Sequence, residues 1–288
     1  MRVLELFSGI GGWRYALGHR GRVVAAYDVS EAANATYALN HGDKPLPKEL
    51  VRVSAGELAS WNADTWLLSP PCQPFCRMGN HHGLEDRRSQ AFLHLMDLFR
   101  EIPPTHLVLE NVPGFLGSDA HDLLSERARG QGMHQLDLEA CPTRFGLPNQ
   151  RARAYIVVSR EPLQPLPLPD LAQHPLAEFL DVEADQRLYL PPEVLARHQN
   201  GMDFVEPSHC RSTCFIGGYG RRFVGSGSFL RTGKGVRRFS PSEEARLLGL
   251  PQGFHFPAGI PLEIQYRLLG NGLSIPVASW VLDHLLNR

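Results

Sequence analysis

Five short apolar runs, "RVLELF", "RVVAAYDV", "TWLLSP", "HLVLENV" and "RAYIVVS", punctuate the first 160 residues. Each is rich in β-branched or aromatic side chains and too short for a helix, which predicts strands. Between several of them lie stretches with helical spacing, from Ser30 to His41 and from Ser89 to Arg100. Strand–helix alternation of this length has one economical solution, an α/β fold with a doubly wound parallel sheet and helices on both faces.

The pattern then changes. Residues 161–175, "EPLQPLPLPDLAQHP", carry five prolines and predict a stiff connection. Up to about residue 236 the chain is irregular and glycine-rich ("IGGYGRRFVGSGSFLRTGKG"), and helical spacing returns in "SPSEEARLLGL", where Ser240 and Glu243 have capping-box spacing. The expected organisation is one large domain from 1–160 and 238–288, with a small domain from 161–237 between its parts. With 288 residues and 43% hydrophobic content, both can be globular. No apolar run reaches membrane-spanning length and no signal segment opens the chain. Five cysteines, an odd number, predict reduced thiols in a cytoplasm rather than a disulfide framework.

The net charge of −1 gives no reason to expect a polyanion partner. Its distribution does. No acid lies between Glu206 and Glu243, where Arg211, Arg221, Arg222, Arg231, Lys234, Arg237 and Arg238 all fall. Such a segment is either a phosphate footprint or a solvated basic loop.

Several places carry chemistry. Gly9, Gly11 and Gly12 follow the first strand and precede a helix, where a bare backbone can approach a ligand. Asp28 ends the second strand, roughly 20 residues on, where a carboxylate can accept hydrogen bonds from ribose hydroxyls. The pair suggests an adenosine-bearing ligand and leaves NAD and S-adenosylmethionine open, although the third glycine of the dinucleotide fingerprint is absent. In "SPPCQPF", Pro70, Pro71 and Pro74 hold Cys72 in a rigid turn, a mounting that suits a nucleophile better than a core thiol. Glu110 ends another strand, Arg151 and Arg153 alternate at the start of the next, and Asn271 sits in a tight turn before an apolar helix. Gly79 and Gly83 bracket a segment that suits a lid or an ordinary loop. Cys72 and Cys76 with Cys210 and Cys214 also have spacing compatible with a four-thiolate zinc site, but a proline-locked loop makes a poor zinc knuckle, so no metal is expected. Singly, each residue has a plainer explanation: an inert thiol, a strand-end ion pair, a helix cap.

Together, "FSGIGG", "PPCQPF", "ENV", "QRARAY", "RLLGLP" and "GNGLS" occur in an order that resembles the carbon-5 cytosine methyltransferases over nearly the whole chain. "CRMGNHHGLEDRRSQAFLHLMDLF" and "STCFIGGYG" make it most similar to the DNA methyltransferase 2 branch, which modifies a cytosine in the anticodon loop of aspartate transfer RNA. The chain departs from that branch at Ile216 and Cys76, where threonine is usual, and at Gly272, where serine is usual.

The resemblance implies a Rossmann-like methyltransferase domain with a small target-recognition domain. It implies S-adenosylmethionine as cofactor, held by Phe7, Ser8, Gly9, Gly11, Gly12, Asp28, Ser69, Asn271 and Gly272. Cys72 would add to carbon 6 of cytosine, so that carbon 5 becomes nucleophilic enough to take a methyl group. Glu110 would hold or protonate ring N3, with Arg151 and Arg153 fixing the base's carbonyl oxygen and that carboxylate. Cys214, Phe215, Arg221, Arg222 and Lys234 would meet the substrate. Transfer RNA is the expected partner and DNA the alternative, with the protein a cytoplasmic monomer. An inactive nucleic-acid-binding module and a nicotinamide oxidoreductase are the readings from other classes.

Overall fold

The computed structural model describes residues 1–71, 89–165 and 167–286. They divide into two compact units, the first made of residues 1–140, 152–167 and 279–288, the second of residues 141–151 and 168–278.

The first unit is built on a six-stranded sheet of order β2-β1-β3-β4-β6-β5. Strands β1 (Arg2–Leu6), β2 (Arg22–Tyr27), β3 (Thr65–Leu68) and β4 (His106–Asn111) run parallel, and they coincide with four of the five predicted runs. The fifth, β6 (Arg153–Ser159), lies antiparallel between β4 and β5 (His134–Ala140), so the sheet is parallel-dominated rather than wholly parallel. Every residue of β3, and all but the first of β4 and β6, is buried, as a strand covered on both faces requires. The sheet is flanked by α1 (Gly12–Leu17), α2 (Glu31–His41), α3 (Ala55–Ser60), α4 (Gln90–Glu101) and α5 (Asp119–Gly130). Helix α4 shows why such segments fold this way: Phe92, Leu95, Met96 and Phe99 recur at helical spacing and all are buried.

The second unit has its own core, in which Phe215, Tyr219, Phe229, Phe239 and Tyr266 pack together. It contains α6 (Pro192–His198) and a three-stranded sheet of β7 (Asp203–Val205), β8 (Ser228–Thr232) and β9 (Gly235–Arg237), followed by α7 (Pro241–Leu247) and α8 (Leu262–Gly270). The capping box read from sequence at Ser240 and Glu243 is present at the start of α7. The last helix is α9 (Ile275–Leu286). Among the described residues no helix is long and apolar enough to cross a membrane.

Candidate active site

Parallel strands deliver their C-terminal ends to one edge of the sheet, where open α/β folds bind ligands. In the first unit that edge carries the turn after β1, Asp28 after β2, Ser69 after β3, and Glu110 near the end of β4. Because β6 runs antiparallel to β4, its first residue reaches the same edge: Glu110 registers with Tyr155, and Arg153 begins the strand. There the Arg153 Nε lies 3.2 Å from Glu110 Oε1, and their side chains are only 14% and 8% exposed. A desolvated pair of this kind fixes the carboxylate far more firmly than a surface ion pair would.

The turn after β1 is bent sharply. Phe7 has φ +58°, uncommon for a residue with a side chain, and Gly9 and Gly11 follow with φ +54° and +85°. The Gly9 N–H donates to Asp28 Oδ2 at 2.8 Å, and the Ser30 N–H to Oδ1 at 2.8 Å, so the aspartate stitches the two strand ends together. Burial raises the Asp28 pKa, and these amide donors oppose the shift. The two glycines differ in purpose. A Cβ on Gly9 would meet nothing within 4 Å among the described residues, whereas one on Gly11 would collide with the His41 ring. Gly9 therefore leaves open space, and Gly11 admits close packing. The Ser69 hydroxyl accepts a hydrogen bond from Trp13 Nε1 at 3.0 Å, which ties α1 to the end of β3.

Cys72 and Cys76, with Gly79 and Gly83, lie outside the described residues. The approach to them does not: Pro70 is buried, and its carbonyl accepts from Asn111 Nδ2 at 3.1 Å.

In the second unit, Arg151 is 2% exposed. Its guanidinium donates to the carbonyls of Phe215 (3.0 Å), Gly270 (2.9 Å) and Gly272 (2.5 Å), and to Cys214 Sγ (3.3 Å). Arg151 thus belongs to the framework, joining the Cys214 segment to the turn that bears Asn271 and Gly272. That corrects the expectation that it sits beside Arg153 on a strand facing the base, because β6 begins only at Arg153. Phe215 is a core ring, edge-on to Tyr219 and Phe239, and not a face offered to a substrate. Buried Glu244 lies close enough to this cluster for the Arg151 charge to oppose the strong upward pKa shift that burial imposes on it.

The basic segment is also less available than its sequence suggests. Arg237 is buried against Glu243, Arg211 pairs with Asp203 at 3.0 Å, and the Arg238 guanidinium sits 4.6 Å from the Phe223 ring. Arg221, Arg222, Arg231 and Lys234 remain exposed, Arg221 at 3.8 Å from Glu263.

Residues 1–191 and 199–287 match the family model for C-5 cytosine-specific DNA methylases. The chain belongs to this family. It is a cytosine-5 methyltransferase, 30% identical to the tRNA (cytosine(38)-C(5))-methyltransferase of Homo sapiens over 97% of both chains. Its fold is similar to that of the Entamoeba histolytica methyltransferase EhMeth (TM-score 0.94, 26% identity, 100% and 98% of the two chains). It is equally similar in kind to S. pombe Dnmt2 methyltransferase (TM-score 0.90, 29% identity, 100% and 98%).

Two features of this methyltransferase escaped the sequence reading. Asn111, the second letter of "ENV", anchors the backbone leading into the cysteine segment. Val29, next to Asp28, is 64% exposed although it is a large apolar residue. An apolar residue immediately after a candidate ribose acceptor was the available signal.

Proposed function

We propose that this methyltransferase transfers a methyl group from S-adenosylmethionine to carbon 5 of a cytosine in transfer RNA, through a covalent adduct on Cys72. The observation that carries the reading is the buried Glu110–Arg153 pair at the sheet edge, beside the Asn111 anchor at the foot of the Cys72 segment.

The residues around the β1 turn fit the donor. Among the described residues, Gly9 leaves space and the buried Ser8 hydroxyl has no hydrogen-bond partner, and the Asp28 carboxylate retains accepting capacity beyond its backbone amides. Exposed Val29 offers an apolar surface to an adenine face. When bound, the donor supplies an electrophilic methyl group on a sulfonium. Asp28 would hold ribose hydroxyls, and the amides of the turn would hold polar groups of the donor.

The Cys72 thiolate would add to carbon 6 of the target. Glu110 would offset the charge that develops in the ring by holding or protonating N3, with Arg153 keeping the carboxylate aimed. Carbon 5 would then take the methyl group, leaving the donor as a neutral thioether. A base would accept the carbon-5 proton, and the electron pair left behind would re-form the ring double bond and expel the Cys72 thiolate. Domain roles follow the same reading, with residues 161–237 taken as the target-recognition part.

Transfer RNA is favoured over DNA as the substrate by the activity that names the human relative and by a target already in a loop, which spares a few kcal/mol of unpairing. We take the anticodon loop of aspartate transfer RNA as the specific target. Labelled donor incubated with total transfer RNA and with unmethylated genomic DNA tests this. Label accumulating in RNA is expected, and label entering DNA as fast or faster overturns the substrate. RNA carrying 5-fluorocytosine should become covalently attached at Cys72, and attachment mapped to Cys76 or Cys214 overturns the nucleophile.

A further inference from the structure

One ionisable group in the first unit has no part in the chemistry above. Glu5 is fully buried in β1, level with Ala26 of β2 and Leu67 of β3. Its Oε2 accepts from the Tyr37 hydroxyl of α2 at 2.8 Å, and its Oε1 from the Arg14 N–H of α1 at 3.3 Å, with the Trp13 N–H also directed at it. Helix α1 needs those acceptors, because its N-cap is Gly11 and no side chain there caps it. Tyr37, with His41 one turn on in α2, also forms the floor of the glycine turn: a Cβ on Gly11 would collide with His41 and lie 3.0 Å from Tyr37.

We propose that Glu5 is a positioning residue for the methyl donor, its carboxylate clamping α1 to α2 from beneath and so holding the turn between β1 and α1 in its ligand-binding form. The inference rests on the reading of that turn as the donor site.

The ionised form is the one that fits. All the groups hydrogen-bonded to Glu5 are donors, so a protonated carboxyl would lose an acceptor and bring an O–H of its own. The charged and titratable neighbours are Arg14, Tyr37, His41 and Asp43. The Arg14 guanidinium pairs with Asp43 at 2.8 Å and donates to the His41 carbonyl, while burial lowers the His41 pKa to about 4 and leaves that ring neutral. Burial pushes Glu5 up to about 7, against the pull of Tyr37 and the amides. The clamp therefore titrates around neutrality, opening as pH falls below about 7 and closing as pH rises above it.

The sign for stability is opposite. A carboxyl whose folded pKa is raised contributes stability that is complete below its ordinary value of 4.5 and lost as pH rises through about 7. Ionising Glu5 thus costs the fold stability even as it closes the clamp.

Calorimetric titration of the protein with S-adenosylmethionine between pH 6 and 8, with thermal melts alongside, tests the clamp. The donor's own amine titrates equally against every variant, so differences between proteins isolate Glu5. Wild-type affinity should rise severalfold more over this range than that of Glu5→Gln, whose affinity lacks this titration. Glu5→Gln should melt higher than wild type at pH 8, and the gap should shrink at pH 5. Tyr37→Phe, which removes a donor to the carboxylate, should move the binding midpoint to higher pH. Equal pH profiles for wild type and Glu5→Gln, or an unmoved midpoint in Tyr37→Phe, overturn the clamp. If no protein binds the donor at any pH, the donor site itself is wrong and the clamp falls with it.

Discussion

Glu110 and Arg153 meet because antiparallel β6 brings its first residue to the edge where parallel β4 ends. Glu110→Gln preserves the shape and removes the charge, so single-turnover methylation should slow by about 10²–10⁴-fold, the usual range for a positioned acid–base group. Donor affinity, measured by calorimetry, should not change. Asp28→Ala should weaken the donor by about ten- to a hundredfold, equivalent to roughly 1.5–3 kcal/mol of charge-assisted hydrogen bonding. It should also lower the melting temperature of the ligand-free protein, because Asp28 ties Gly9 to Ser30. The placing of Glu110, Arg153 and Asp28 at strand ends was legible because each stands at the end or start of an apolar run. Arg151 was misread because alternation reveals a face only inside a strand, and residue 151 precedes β6. Glu5 was illegible: in "RVLELF" it has the look of an ordinary outward-facing residue of a half-exposed strand, whereas helices on both sides of the sheet bury it.

At the scale of elements, α7 stands on a buried ion pair. Glu243 accepts from both terminal nitrogens of Arg237 at 2.7 Å and also from the amides of Asp181 and Ser240. Glu243→Ala leaves Arg237 charged and buried, so unfolding in urea should show a loss of about 3–5 kcal/mol. Replacing both partners with apolar residues of similar volume should recover most of it, and an undiminished loss in the double variant would show that the amide contacts, not the ion pair, hold the helix. Ser240 and Glu243 were readable because a capping box is local chemistry. Strand β5 was missed because "HQLDLEA" alternates apolar with polar residues at the sheet edge and lacks a β-branched run. The three short strands of the second unit were hidden among glycines, since their burial depends on contacts distant in sequence.

For the whole molecule, near-neutral charge leaves the exposed cations of the second unit as a local attraction. Arg222→Glu with Lys234→Glu should weaken transfer-RNA binding and reduce its salt slope by about one or two. An unchanged slope in a filter-binding series would place the RNA elsewhere. The sheet order has a consequence for how the protein is made. Consecutive strands β4 and β5 are not neighbours, and the gap between them is filled by β6. From Asn111, which ends β4, to Ser159, which ends β6, a ribosome adds residues for roughly 2–10 s at typical elongation rates. Throughout that interval Leu107, Val108 and Leu109 line a strand whose hydrogen-bonding edge awaits its partner, an adhesive template for other nascent chains. Premature termination or slow codons between these two strands should therefore cause insolubility, while a pause after residue 159 should be harmless to the sheet.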